Sequence, residues 1–154
     1  MVLFEFLKIS TILYCNYLIS MSNFVFYNPN PNQKYKKDGT PMRWHGTDCT
    51  VRSLAKVLNC SWEKAFSILC KAGLELKMTF DDIKVLEKVY KQLGGIRYTF
   101  GRTQLPTVNQ FLKAHPKGTY IVNISRHVAC VKDGKLYDTW DCGPWKVRSY
   151  YQFA

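Results

Sequence analysis

The chain has 154 residues, 47% of them apolar and 15% aromatic, which suits one domain with its own core and excludes a disordered chain. Twenty-two Lys and Arg stand against eleven Asp and Glu, a net charge of +11, so an acidic partner such as nucleic acid has to be weighed. Six cysteines, at 15, 49, 60, 70, 130 and 142, include no Cys-x-x-Cys pair and no zinc-type spacing with His45, His115 or His127; the pattern speaks for reduced thiols in a cytoplasmic protein and against a disulfide scaffold or a metal module.

Residues 1 to 20 are apolar, but Glu5, Lys8 and Asn16 interrupt the run. No basic segment opens it and no small-residue cleavage site closes it, so neither a signal peptide nor stable membrane insertion is expected. The stretch reads as an extension ahead of a natural start at Met21. Residues 21 to 46 read as a basic irregular arm, in which Phe24 and Phe26 alternate like a short strand. Three prolines, two glycines and the run Lys34-Tyr35-Lys36-Lys37 follow. The domain proper is expected over 47–154.

Three amphipathic helices come next. The first spans 49 to about 58, with Asp48 as its N-cap and Val51, Leu54, Ala55 and Leu58 at helical spacing. The second opens at Ser61 and stops at Gly73; the third begins near Asp81 and stops at Gly94-Gly95. Ile96 to Phe100 forms a short strand, and Thr107-Val108-Asn109-Gln110 is a capping box for a helix that ends at Pro116. The period then changes to that of strands, over 119–125, 127–132, 135–140 and 145–151. Helices first and an antiparallel sheet last make an α+β domain.

Two positions in this frame carry chemistry. Cys49 opens the first helix, where unpaired N–H groups and the positive end of the dipole favour a thiolate and suit a developing oxyanion. A cysteine there also serves as a small apolar residue closing a helix–core contact. His127 opens a strand. If Asp133-Gly134 forms the two-residue turn it favours, Lys132 pairs with Lys135 and Val131 with Leu136. His127, Ala129, Val131, Leu136, Asp138 and Trp140 then share one face, while Val128, Cys130, Tyr137, Thr139 and Asp141 take the other. Asp138, not Asp141, is placed to orient the imidazole; the competing reading is a core histidine satisfied by a neighbouring acid.

Cys49, His127 and Asp138, on a helix start, a strand and the adjacent strand, resemble the papain-like cysteine peptidase superfamily, including the bacteriocin-processing double-glycine peptidases. The segments Thr47-Asp48-Cys49-Thr50-Val51-Arg52, Gly118-Thr119-Tyr120-Ile121-Val122, and His127-Val128-Ala129 through Tyr137-Asp138-Thr139-Trp140 are similar to small phage and bacterial proteins of that kind. The resemblance covers about 44 to 148. It implies Cys49 as nucleophile, His127 as general base and then acid, and Asp138 as the group fixing the imidazole tautomer. It also implies a protein or peptide substrate and no cofactor or metal. Where members of the superfamily carry a glutamine ahead of the cysteine, this chain has Arg43. Oxyanion stabilisation would then fall to the Cys49 backbone N–H with Arg43 or His45. Arg52, one turn beyond Asp48, is placed to neutralise that carboxylate beside the thiol.

The reading that follows is a cysteine-dependent hydrolase or acyl transferase, a peptidase or isopeptidase-like amidase, located in the host cytoplasm if viral. Two alternatives stand beside it. One is a catalytically inactive papain-like fold acting as a virus–host interaction protein. The other is a basic nucleic-acid-binding module using Lys34, Lys36, Lys37, Arg43, Lys146 and Arg148, which would have no need of the Cys49, His127 and Asp138 constellation.

Overall fold

The structure, a computed structural model, describes residues 23–34, 36 and 48–154. The N-terminal extension, the Met21 start, Cys15, Lys37, Arg43 and His45 lie outside them. In chain order the described elements are β1 (Phe24–Phe26), α1 (Cys49–Leu58), α2 (Trp62–Leu76), α3 (Ile83–Gln92), β2 (Ile96–Thr99), α4 (Val108–Ala114), β3 (Thr119–Ile124), β4 (His127–Lys132), β5 (Lys135–Asp138) and β6 (Ser149–Phe153). The fold is mixed α+β, around one six-stranded sheet in the order β1-β5-β4-β3-β6-β2. No helix among the described residues is long and apolar enough to cross a membrane.

The sheet is mixed rather than wholly antiparallel. β1, within the segment read as an irregular arm, pairs in parallel with β5, Phe24 opposite Leu136 and Phe26 opposite Asp138. A strand arriving from more than a hundred residues upstream in sequence is not bound by hairpin geometry and takes either direction. The β4–β5 hairpin has the expected register, Lys132 with Lys135, Val131 with Leu136 and Cys130 with Tyr137. Asp133 (φ 50°) and Gly134 (φ 71°) are both left-handed, the conformation a two-residue primed turn requires.

The sheet separates two cores. On one face, Val51, Leu54 and Ala55 of α1 pack with Ala65 and Leu69 of α2, Val85, Val89 and Tyr90 of α3, and Ile121 and Val128 of the sheet. On the other, Val108, Phe111 and Leu112 of α4 cover Tyr120, Val122, Ala129, Val131 and Leu136. Helix α1 is therefore enclosed between α2 and β4, which explains why Thr50, Arg52 and Ser53, on its polar side, are buried as well. Ser53 Oγ donates to the Val128 carbonyl at 3.3 Å and ties α1 to β4.

Three element boundaries differ from the sequence expectation. Helix α2 runs past Gly73 to Leu76 and closes at Lys77, whose φ is 57°. Gly73 lies inside the helix, and a Cβ there would meet the Met78 carbonyl oxygen at 2.7 Å as the chain folds back. Strand β5 ends at Asp138, where the Thr139 amide turns inward to the Asp138 carboxylate at 2.7 Å. The last strand starts at Ser149 and runs to Phe153, because residues 145–147 are taken by the start of α4. Val108 N donates to Trp145 O at 2.9 Å and Val147 N to Pro106 O at 2.8 Å.

Cys130 is fully buried on β4, and burial pushes its thiol up to about 12. Cys130→Ser should cost about 1 to 3 kcal/mol, since it buries a hydroxyl where a thiol was accommodated. A lower urea midpoint with an unchanged slope would show this; a variant as stable as the native protein would contradict a pure packing role.

Candidate active site

The N-terminus of α1, the first residue of β4 and the last residue of β5 lie together at one end of the sheet. Cys49 is the first residue of α1, and its thiol lies beside the His127 side chain on one groove, close enough for the imidazole to act on its ionisation. His127 Nε2 donates to Asp138 Oδ2 at 2.5 Å, leaving Nδ1 for the sulfur. The three residues singled out in the sequence are thus brought into one chain of contacts. Asp141 is not part of it; its carboxylate accepts from the Gly143 amide at 2.9 Å.

The surroundings favour the ionic form of the pair. Burial opposes ionisation of Cys49. The His127 hydrogen bond and charge, a backbone hydrogen bond from Val128 and the charge of Arg52 outweigh it and hold the thiol below its ordinary value. Burial likewise disfavours the imidazolium, but hydrogen bonds to Asp138 and Cys49 and the charges of both push His127 up to about 9. Both shifts act in the direction of a thiolate beside an imidazolium. The Trp140 ring lies 5.2 Å from the His127 ring, centroid to centroid, and Trp145 packs edge-on against Trp140.

Asp48 departs from its expected role. Its side chain makes no capping hydrogen bond to α1. Asp48 Oδ1 is instead in contact with Arg52 Nη1, while Oδ2 accepts from Trp62 Nε1 at 2.9 Å and Asn30 Nδ2 at 3.1 Å. A buried guanidinium and an indole N–H outcompete the helix amides for this carboxylate. Arg52 neutralises Asp48, as its spacing suggested, and its other nitrogen, Nη2, reaches Asp138 Oδ1 at 3.1 Å. That second contact was not foreseen; only the D-C-x-x-R spacing hinted at a role for Arg52.

A groove of about 210 Å³ opens on the sulfur, lined by Cys49, Thr50, Leu86, His127 and Val128, with the exposed Asp81 and Arg126 on opposite sides in sequence and element. Arg126 has φ 55°, in the tight turn joining β3 to β4, and stands next to His127 in the chain. A larger cavity of about 320 Å³, between the β1 end of the sheet and α4, has no cysteine or histidine among its described lining residues. Among the described residues, His127, Asp138 and Cys142 offer three possible metal-ligand atoms within 4.8 Å of one another. Asp138 Oδ2 is already used by His127 and Oδ1 by Arg52 and Thr139, so the group fits a hydrogen-bonded network. The other histidine among the described residues, His115, stacks on Phe111 and its Nδ1 lies 3.0 Å from the Phe111 carbonyl, away from the site.

No family model, no curated protein and no solved structure matches the chain, so the chemistry of this site rests on its own geometry.

Proposed function

We propose that the protein is a cysteine-dependent hydrolase or acyl transferase of amide bonds, a peptidase or isopeptidase-like amidase with a papain-like arrangement of helix-borne nucleophile and sheet-borne base. The observation that carries this reading is the unbroken contact chain from the Cys49 thiol through His127 to Asp138, at a helix start that opens on a groove. Structural histidine–acid pairs are common, but they do not require a depressed thiol on the other ring nitrogen at a groove.

In the reaction, the Cys49 thiolate adds to the substrate carbonyl carbon, and the Cys49 backbone N–H at the helix start faces the developing oxyanion. The His127 imidazolium gives its proton to the leaving amine as the C–N bond breaks, which leaves a thioester on Cys49. His127, now neutral, takes a proton from water or another acceptor nucleophile. That nucleophile attacks the thioester, and the acyl product departs as the thiolate and imidazolium return. Asp138 holds the ring in register throughout.

The active form needs Cys49 ionised and His127 protonated. Its rate of alkylation by iodoacetamide, or of turnover, should therefore rise at a pH below that of an ordinary thiol, with turnover falling again as pH passes about 9. Stability follows the same sign for His127. Its folded value lies above the unfolded one, so its contribution is complete below the pH where a free histidine titrates and is lost as pH rises through about 9. Labelling located by mass spectrometry tests the reading. Cys49 reacting no faster at pH 6 than the partly buried Cys70 would leave a catalytically inactive interaction protein as the better account.

Charge favours a second reading. Between Glu87 and Asp133 the chain carries eight Lys and Arg and no acid, a distribution suited to phosphates. Binding to single- or double-stranded nucleic acid that weakens steeply with salt, and survives Cys49→Ser, would support it.

A further inference from the structure

We propose that Arg52 is a positioning residue of the site: by holding Asp138 and Asp48 at once, it fixes the carboxylate that orients His127 and locks the helix carrying Cys49 to the strands carrying the base. The inference rests on the hydrolase reading and goes beyond the three groups that reading uses.

Arg52 sits one turn beyond Cys49 on α1, with its side chain only 8% exposed. One Nη contacts Asp48 Oδ1, and the other reaches Asp138 Oδ1 at 3.1 Å, 86 residues away in the chain. Asp138 is thereby fully engaged: Oδ1 accepts from Arg52 and the Thr139 amide, Oδ2 from His127. A carboxylate held at both oxygens cannot rotate, and the His127 ring it contacts is held with it. At the far end Asp48 is anchored by Trp62 on α2 and by Asn30. The charges alternate from Asp48 to Arg52 to Asp138 to His127 to Cys49. The other titratable groups that face Asp138, the thiols of Cys130 and Cys142, are held neutral by burial.

Stability alone is a poor reason for this arrangement. A buried ion pair is often replaced by apolar groups of similar volume at little cost, whereas removing one partner leaves a buried charge uncompensated. Nor does charge alone account for it. A lysine ammonium is a single point charge and cannot span two carboxylates as a planar guanidinium does.

The test uses the full chain and three variants: Arg52→Met, the double variant Arg52→Met/Asp48→Asn, and Arg52→Lys. The double variant removes one positive and one negative charge beside Cys49 and leaves Asp48 no buried charge to compensate. Two readouts are followed with pH: iodoacetamide labelling of Cys49, and the ring resonances of His127 by NMR. We expect the double variant to melt close to the native protein. Its His127 transition should nevertheless fall by about one pH unit or more toward that of a free histidine, with labelling near pH 6.5 slowed about tenfold or more. A folded double variant with native profiles would overturn the proposal. If the double variant does not fold, Arg52→Lys, which keeps the charge, carries the same two readouts, and native profiles there overturn it equally. An ordinary thiol and an ordinary histidine in the native protein would instead remove the hydrolase reading itself.

Discussion

Cys49→Ser should lower amide turnover by roughly 10³-fold or more while leaving the thermal transition nearly in place. The two effects separate because of where the residue sits. A serine hydroxyl at the start of α1 keeps a hydrogen bond to His127, and the residue is only partly buried, so little packing is lost. What disappears is the anion. The hydrogen bond and charge of His127, the Val128 backbone and Arg52 bring a thiol into the ionisable range, but they cannot do so for a hydroxyl whose proton is far less acidic. Turnover of a library of fluorogenic peptide amides, with the thioester adduct on Cys49 sought by mass spectrometry, measures the loss. A serine variant that keeps most of the native activity would remove Cys49 from the mechanism, and the contact with His127 would then be structural.

The largest effect on stability is expected at Leu54→Ala, at about 2 to 5 kcal/mol. Leu54 is fully buried on α1, in the core shared by α1, α2, α3 and the sheet. Its removal forfeits the transfer free energy of the side chain and leaves a void that cannot collapse, because α1 is enclosed by α2 on one side and β4 on the other. For a domain of this size that is a large share of total stability. Leu74→Ala provides the control. Leu74 lies on α2 but is 81% exposed, and its truncation should stay within about 0.5 kcal/mol. Urea unfolding of the two variants decides the matter. Equal midpoints would mean that the α1 face is not the main core.

Because Leu54 and Cys49 share α1, the first experiment also bears on the second. A Leu54→Ala protein that remains folded at low temperature should show slower Cys49 labelling as well, since the core face of α1 aims its N-terminus at β4. The α1 contacts with β4 include the Ser53 hydrogen bond to Val128, the residue next to His127.

Much of the site was legible in the sequence because it depends on short-range rules. The apolar spacing of Val51, Leu54 and Ala55 places Cys49 at a helix start, and the Asp133-Gly134 turn sets a register that puts Asp138, not Asp141, against His127. The capping box of α4 formed as its residues dictate, with Thr107 accepting from the Gln110 amide at 3.1 Å and Gln110 from the Thr107 amide at 2.8 Å. In each case the interacting groups lie no more than 11 residues apart, within one helix start or one hairpin, so spacing and turn type identify the partners.

What only the tertiary structure decided are the outcomes of competition between distant partners. Asp48 has a capping residue's chemistry, yet Arg52, Trp62 and Asn30 claim its carboxylate once α2 and the N-terminal segment pack beside it. Arg52 finds Asp138 across 86 residues, and β1 joins β5 in parallel, though nothing local states either choice. Residues 145–147, strand-like in composition, are drawn to the start of α4 instead. Spacing records which hydrogen bonds a segment is able to make with its neighbours in the chain. It does not record which stronger donor or acceptor the fold will bring alongside, and a buried charge takes the partner that best replaces its lost water.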